Sequence, residues 1–390
     1  MARSARSQLG QLACAALLLA AADATARPKA SVTLPYELSE LGDAAIRGVT
    51  IGPIESRLHP GRGYGSPAFE RGLDEAVRLG ANWISLTPFG RAWDLEATGV
   101  TRTFELPLAE NQEGLLAAVR QAHARGLKVL LVPHLWVESG GWRAEIDPKS
   151  EAGWQSFAQS YRAFALTWAR FATHAGVDML AVGVELRSWV TTTHAPSFLQ
   201  IVRAVRAAYA GPLTYAANWD DVEQTVIWGE LDVIGINAFY PLTDRAGASD
   251  EQLYAGGREV SKKVTALAEQ WQKPVLFNEF GYTARTDPAL RPWEWPDHMR
   301  GVTVDAAAQA AAYRGLLRGM LETAELRGAF VWRLYADPDD LSQEAEWGFS
   351  PRGRAAELAL RGAYWSRWLS EPSGARGELF RPPAGVAGVY

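Results

Sequence analysis

Eight short apolar runs alternate with longer amphipathic segments along this chain. The runs are "IRGVTIGPI" (Ile46 to Ile54), "ANWISLTPF" (Ala81 to Phe89), "LKVLLVPHLWV" (Leu127 to Val137), "DMLAVGVELRS" (Asp178 to Ser188), "PLTYAANW" (Pro212 to Trp219), "DVIGINAFYP" (Asp232 to Pro241), "PVLFNEFGYT" (Pro274 to Thr283) and "GAFVWRLY" (Gly328 to Tyr335). Most are near-continuously apolar rather than alternating, which marks parallel strands buried on both faces. Between them, "PAFERGLDEAVRLG" (Pro67 to Gly80) places Phe69, Leu73 and Val77 on one helical face and ends in a C-capping glycine. "NQEGLLAAVRQAHARG" ends the same way at Gly126, and Asp305 to Ala324 is long and Ala-rich. Eight strand–helix units predict an α/β fold, a single (β/α)8 TIM barrel. An open doubly wound sheet fits less well, because no GxGxxG follows the first strand. The glycines Gly61, Gly63 and Gly65 read as a loop after it.

In a TIM barrel the site lies at the C-terminal strand ends. That rule selects His134 and Trp136 on strand 3, Glu185 on strand 4, Asn218 and Trp219 on strand 5, and Asn237 and Tyr240 on strand 6. Glu279 and Tyr282 follow on strand 7 and Trp332 on strand 8. Glu185 and Glu279 stand out, because a carboxylate among aromatics is costly to desolvate unless paired or used. Alternation sets Ala181, Gly183 and Glu185 against Leu180, Val182 and Val184, and on strand 7 it groups Val275, Phe277 and Glu279 on one face. Both carboxylates are therefore expected in the barrel mouth. Paired carboxylates are what glycoside hydrolysis needs, one to protonate the leaving oxygen and one to attack or to activate water. The bland alternative is an ion pair with Arg187 or Arg333. Trp, Tyr, Asn and His around the pair would supply stacking faces and hydrogen bonds to hydroxyls.

Composition narrows the partners. Apolar residues are 48% and charged residues 21% of 390, so a packed core is expected. A net charge of −5 with no basic run argues against nucleic acid. Arg3 and Arg6, the apolar run Leu12 to Ala22 and "ATA" (Ala24 to Ala26) resemble a cleaved export signal over residues 1–26. The catalytic domain is then expected over 27–370, in a secreted or periplasmic monomer with no membrane association after cleavage. The Gly/Pro-rich tail 371–390 carries no helix pattern and is expected to be flexible. Cys14, the one cysteine, lies inside the signal, which leaves no thiol chemistry in the mature chain. Of six histidines (His59, His123, His134, His174, His194, His298) only His134 lies clearly at a strand end, and HExxH is absent. No metal and no cofactor is expected.

The strand 4 and strand 7 glutamates resemble the signature of clan A of the glycoside hydrolases. Within it, "RGVTIG", "VPHLWV", "VGVELRS", "INAFYP", "LFNEFGY", "VWRLY" and "WGFSPRGRAA" (Trp347 to Ala356) together resemble glycoside hydrolase family 113, typified by β-mannanases. The resemblance implies a retaining endo-β-1,4-mannanase acting on polysaccharide or oligosaccharide, with Glu185 as acid/base and Glu279 as nucleophile. It implies a raised pKa for Glu185 and an ionised Glu279, with Tyr240 donating to Glu279. It places Trp332 beneath the cleaved sugar and His134 and Trp136 beside it. Val184 departs from the Asn that many clan A enzymes carry before the acid/base, which leaves Asn218 and Asn237 as candidates to read the sugar's 2-hydroxyl. A β-glucan-active clan A hydrolase, a non-catalytic carbohydrate-binding barrel and, more remotely, a metal-dependent hydrolase are the competing readings. Trp293 and Trp295 are expected in a loop that either walls the cleft or caps the barrel.

Overall fold

A computed structural model describes residues 45–52, 61–294, 301–321, 323–340 and 345–365. The expected signal, with Cys14, and the expected tail lie outside these residues, as do His59, Trp295 and His298. Eight parallel strands close into a barrel: β1 (Ile46–Gly52), β2 (Trp83–Leu86), β4 (Lys128–Leu131), β6 (Met179–Val184), β7 (Leu213–Asn218), β8 (Ile234–Asn237), β9 (Val275–Phe280) and β10 (Leu326–Tyr335). This is the expected TIM barrel. Two further strands, β3 (Phe89–Ala92) and β5 (His134–Val137), pair with each other outside it. The apolar runs 81–89 and 127–137 are thus each interrupted, at Pro88 and Pro133.

Helix ends follow local chemistry. In α1 (Pro67–Leu79) the Ser66 side chain accepts from the amide of Phe69, Pro67 opens the first turn, and Gly80 closes the helix at φ 97°. In α3 (Glu151–Ala175) Ser150 caps Gly153 and Gly176 ends the helix at φ 73°. α6 (Asp250–Trp271) begins with a capping box of Ser249 and Gln252. α2 (Leu108–His123), α4 (Arg187–Val190), α5 (Ala195–Ala208), α7 (Ala306–Leu321) and α8 (Ala355–Trp365) complete the set.

Two cores form. The larger lies between strands and helices, with Phe69, Trp168, Trp189, Phe277 and Leu316 among its members. The smaller fills the barrel, with Trp83, Leu130, Met179, Val184, Leu276 and Phe330 among its members. Phe330 fits because Gly48 faces it: a Cβ at Gly48 would lie 2.2 Å from the Phe330 ring.

Gly48→Ala is therefore expected to destabilise the protein by about 1–3 kcal/mol, the usual cost of overpacking. Urea denaturation measures it, and an unchanged midpoint would show that the barrel interior yields at this point.

Candidate active site

Both glutamates reach the mouth, but not by simple alternation. On β6 the register against β7 shifts between Ala181 and Val184. Leu180 and Val182 face the helices as expected, but Val184 joins the barrel interior. Glu185 then adopts φ 49°, a region a non-glycine residue enters only when its surroundings hold it there. Its amide donates to Ala216 O (2.8 Å), and the next amide, of Leu186, donates to the Tyr215 hydroxyl (2.6 Å). On β9 the expected face is wrong: Val275 and Phe277 pack under the helices and Leu276 points inward. A second shift pairs Ile236 with Phe277 but Asn237 with Glu279. The extra residue on β9 turns Glu279 inward, as β-bulges commonly do near sites.

Glu185 is buried and fully engaged. Oε2 accepts from Trp142 Nε1 and Arg143 Nη1, both at 2.9 Å, and Oε1 accepts from Asn237 Nδ2 at 2.9 Å. Arg143 is anchored by its Nε to Leu135 O (3.0 Å). Arg187 stacks on the Trp142 ring (4.6 Å) and pairs with Asp221 (2.9 Å) and Asp220. The ion pair expected of Arg187 or Arg333 with this glutamate is made by Arg143 instead. Trp142 and Arg143 escape a strand-end search because they sit in a loop after β5. The signal that could have found them is the Gly140–Gly141 pair (φ 84° and 103°), a sharp turn delivering an aromatic and a cation together. Burial pushes the Glu185 pKa up, but the Arg143 charge and the bonds from Trp142 and Asn237 outweigh it and hold the pKa below the usual carboxyl value.

Glu279 has the opposite balance. Burial first, and the neighbouring Glu185 charge second, push its pKa well up, against partial opposition from Arg143 and Arg333. Its hydrogen-bond partner is His134, whose Nε2 lies 3.3 Å from Oε1. The other ring nitrogen, Nδ1, lies 2.8 Å from Val132 O, and a carbonyl only accepts, so Nδ1 carries the proton. Burial and the Arg143 charge lower the His134 pKa to about 3, so the ring is neutral and Nε2 is an acceptor. With Nδ1–H given to Val132 O, one proton lies between Glu279 Oε1 and His134 Nε2, and burial of both groups favours their neutral forms. The two shifts run in opposite directions and favour a charged Glu185 beside a neutral Glu279. This reverses the expected order, in which Glu185 holds the proton. The expected Tyr240 donor is also displaced: among the described residues no hydrogen bond joins Tyr240 to Glu279, and its ring packs against Trp219 (5.6 Å) and Phe277 (6.4 Å).

The other expected residues fall into three groups. Asn237 touches Glu185, and Trp332 lies beside His134 (6.4 Å, 30° between planes) in a cluster with Phe239 and Phe349. Trp219 stacks on Trp293 (5.2 Å, 28°), while Trp136 is 48% exposed beyond His134. Tyr282 does not face the pair, whereas Asn218 shares the inward side of β7 with Ala216. Asn218 Nδ2 is committed to Asp220 (2.7 Å). Tyr282 is buried against Tyr313 (5.5 Å) beneath α7, because the bulge before it reverses which side chains point outward. Among the described residues no three His, Cys, Asp or Glu side chains cluster as metal ligands, and no helix is long and apolar enough to cross a membrane.

Residues 59–348 match the model of glycoside hydrolase family 113. The chain belongs to that family. It is a glycoside hydrolase. Solved structures give the same fold. The family 113 β-mannanase of Alicyclobacillus acidocaldarius shares 22% identity, with 83% of this chain and 98% of that one covered and a TM-score of 0.71. A second family 113 β-1,4-mannanase shares 21% identity over 83% and 99%, with a TM-score of 0.70. A family 5 mannosidase from Rhizomucor miehei shares 10% over 84% and 95%, at 0.59. No curated protein matches.

A carboxyl whose pKa is raised by folding keeps its proton where the unfolded chain has lost it. Its contribution to stability is complete below the ordinary carboxyl pKa of about 4.3 and is lost as pH rises above that. Replacing Glu279 in this family 113 hydrolase by Gln removes the penalty and still offers His134 an N–H. The variant is expected to melt higher than wild type at pH 7, by about 2–4 °C for each kcal/mol gained, with the gap narrowing at pH 4. A gap that widens toward pH 4 would show that Glu279 is ionised in the folded protein.

Proposed function

We propose that this enzyme is a retaining β-glycoside hydrolase acting inside β-1,4-mannan chains, with Glu185 and Glu279 as its two catalytic carboxyls. The observation that carries the reading is the pair itself. Asn237 on β8 donates to Glu185 and is the ladder neighbour of Glu279, and the two carboxyls are near enough that the Glu185 charge raises the Glu279 pKa. That proximity fits double displacement, which places them about 5–5.5 Å apart, better than inversion, which needs room for a water. The mannan preference is supported by the family and by the β-mannanases that share its fold. β-Glucan is the alternative substrate. Export is part of the same reading, since a polymer is met outside the cell, and it is supported by the signal-like residues 1–26.

In the first step Glu279, as carboxylate, attacks the anomeric carbon while Glu185 gives its proton to the departing glycosidic oxygen. In the second Glu185, now the base, takes a proton from water, and the water oxygen displaces Glu279. The one proton that the site holds is the number these steps require. The opposed shifts favour the proton on Glu279 in the free enzyme, so under this assignment substrate binding moves it to Glu185. Arg143 is the group whose grip on Glu185 must loosen for that to happen. The same electrostatics favours a second reading with the roles exchanged. Glu185, ringed by donors, would be the nucleophile, and protonated Glu279 the acid.

Two variants separate these readings. Reducing-sugar release from mannan is expected to fall on the order of 10⁴-fold or more in Glu279→Ala and about 10²–10⁴-fold in Glu185→Ala. Azide then distinguishes the roles on an activated aryl β-mannoside. Replacing the nucleophile leaves azide to attack from the opposite face and yields the α-azide. Replacing the acid/base leaves azide to intercept the glycosyl-enzyme and yields the β-azide. The α-azide from Glu279→Ala supports the first assignment, and the α-azide from Glu185→Ala supports the exchanged one. Full activity in either variant removes that residue from the chemistry.

A further inference from the structure

Strands β2 and β4 do not stop at the barrel rim. Their ladder runs on through the two prolines, with Val132 N donating to Leu86 O (2.8 Å) and His134 N to Pro88 O (2.8 Å). It continues as β3 and β5, with Phe89 opposite His134 and Arg91 opposite Trp136. Beyond them Glu138 N donates to Ala92 O (3.0 Å) and Ser139 N to Trp93 O (2.9 Å). The result is a two-stranded ribbon leaving the mouth at the catalytic pair.

Its two faces differ. Gly90, Ala92, Leu135 and Val137 are buried, and a Cβ at Gly90 would lie 2.6 Å from the Phe164 ring of α3. The ribbon is therefore clamped onto the helix layer by its apolar side. The opposite face carries three successive rungs, Phe89 with His134, Arg91 with Trp136, and Trp93 with Glu138. A step of two residues sets the rungs about 6.6 Å apart, comparable to one pyranose repeat. The innermost rung touches Glu279 through His134. Outward, Trp136 is 48% and Trp93 68% exposed, the two most exposed Trp among the described residues, with Trp293 next at 44%. Arg91 pairs with Glu138 (2.9 Å) and lies over Phe104 (5.2 Å), which in turn props the Trp136 ring (5.7 Å). Flat aromatic faces interleaved with an ion pair suit a pyranose chain, which presents apolar C–H faces and equatorial or axial hydroxyls together.

We propose that the open face of the β3–β5 ribbon is an extended glycan-binding shelf. Trp136 and Trp93 hold successive sugars of a β-linked chain on the Glu279 side of the cleaved bond. The proposal rests on the glycoside-hydrolase reading of the pair above and adds what that reading leaves open, namely where the polymer runs. Trp93 has no counterpart among the strand-end residues, since it lies past the end of β3. A sugar chain rather than a protein suits the shelf because it is only two strands wide, interleaves aromatic rings with the Arg91–Glu138 pair and is continuous with the catalytic opening.

The test is the chain-length dependence of kcat/KM on β-1,4-mannotriose and β-1,4-mannohexaose. In Trp93→Ala and Trp136→Ala the ratio of hexaose to triose is expected to fall about tenfold each, and further in the double variant. Trp93→Tyr, which keeps a stacking face, is expected to recover most of the ratio. Thermal midpoints confirm that each variant is folded. A ratio unchanged in both alanine variants overturns the shelf, and so does an equal loss on both substrates, which would mark a structural effect. A folded wild type that cleaves neither oligosaccharide nor mannan overturns the substrate reading itself, a result distinct from either of these.

Discussion

Two carboxyl groups buried in one opening repel each other when both are ionised. At an effective dielectric of about 20 and a separation of about 5 Å the repulsion is about 3 kcal/mol, or roughly two pKa units. Everything around Glu185 and Glu279 answers to that constraint. One site is given the donors, from Trp142, Arg143 and Asn237. The other is given a neutral imidazole whose free nitrogen accepts. The pair is thereby split into one carboxylate and one acid, which is the division of labour that glycoside hydrolysis requires. The direction of the split runs opposite to the proposed assignment of roles, which would make proton relocation a step of the proposed cycle.

The division depends on backbone irregularity. A regular barrel would aim Glu279 at the helices, because Val275 and Phe277 already point there. One register shift on β9 and one on β6 re-aim both glutamates, and the left-handed conformation of Glu185 completes the turn. The loop after β5 and the ribbon before it depend on each other in the same way. Arg143 is tied back to Leu135 O on β5, so the group that controls Glu185 hangs from the strand that also presents Trp136. Charge control of Glu185 and the proposed sugar shelf thus share one piece of backbone.

Much of the fold was legible in the residues. Continuous apolar runs and Ser- and Gly-bounded helices led to the barrel, and the strand-end rule led to both glutamates, His134, Asn237 and Trp332. What escaped was set by features without a periodic signature. A bulge costs one residue of register and leaves no mark on hydropathy, so the face assigned to strand 7 was wrong although its conclusion held. The same shift put Tyr282 under α7. Trp142 and Arg143 lie in a loop, where no period constrains direction. The prolines at 88 and 133 were visible, but whether a strand ends or continues past such a residue depends on its partner, and here each strand continues because the other does. The protonation order was least legible, since it rests on Arg143 lying nearer to Glu185 than to Glu279.

The location of the shared proton tests this most directly. Carbon-13 NMR of protein labelled at the glutamate carboxyl, compared with Glu279→Gln, assigns the Glu279 resonance and follows it with pH. A carboxyl signal that stays in the protonated range at neutral pH, and is absent from the variant, is the expected result. A Glu279 signal that is already ionised at pH 6, or a protonated Glu185 beside it, would contradict the claim that the free site stores its proton on Glu279.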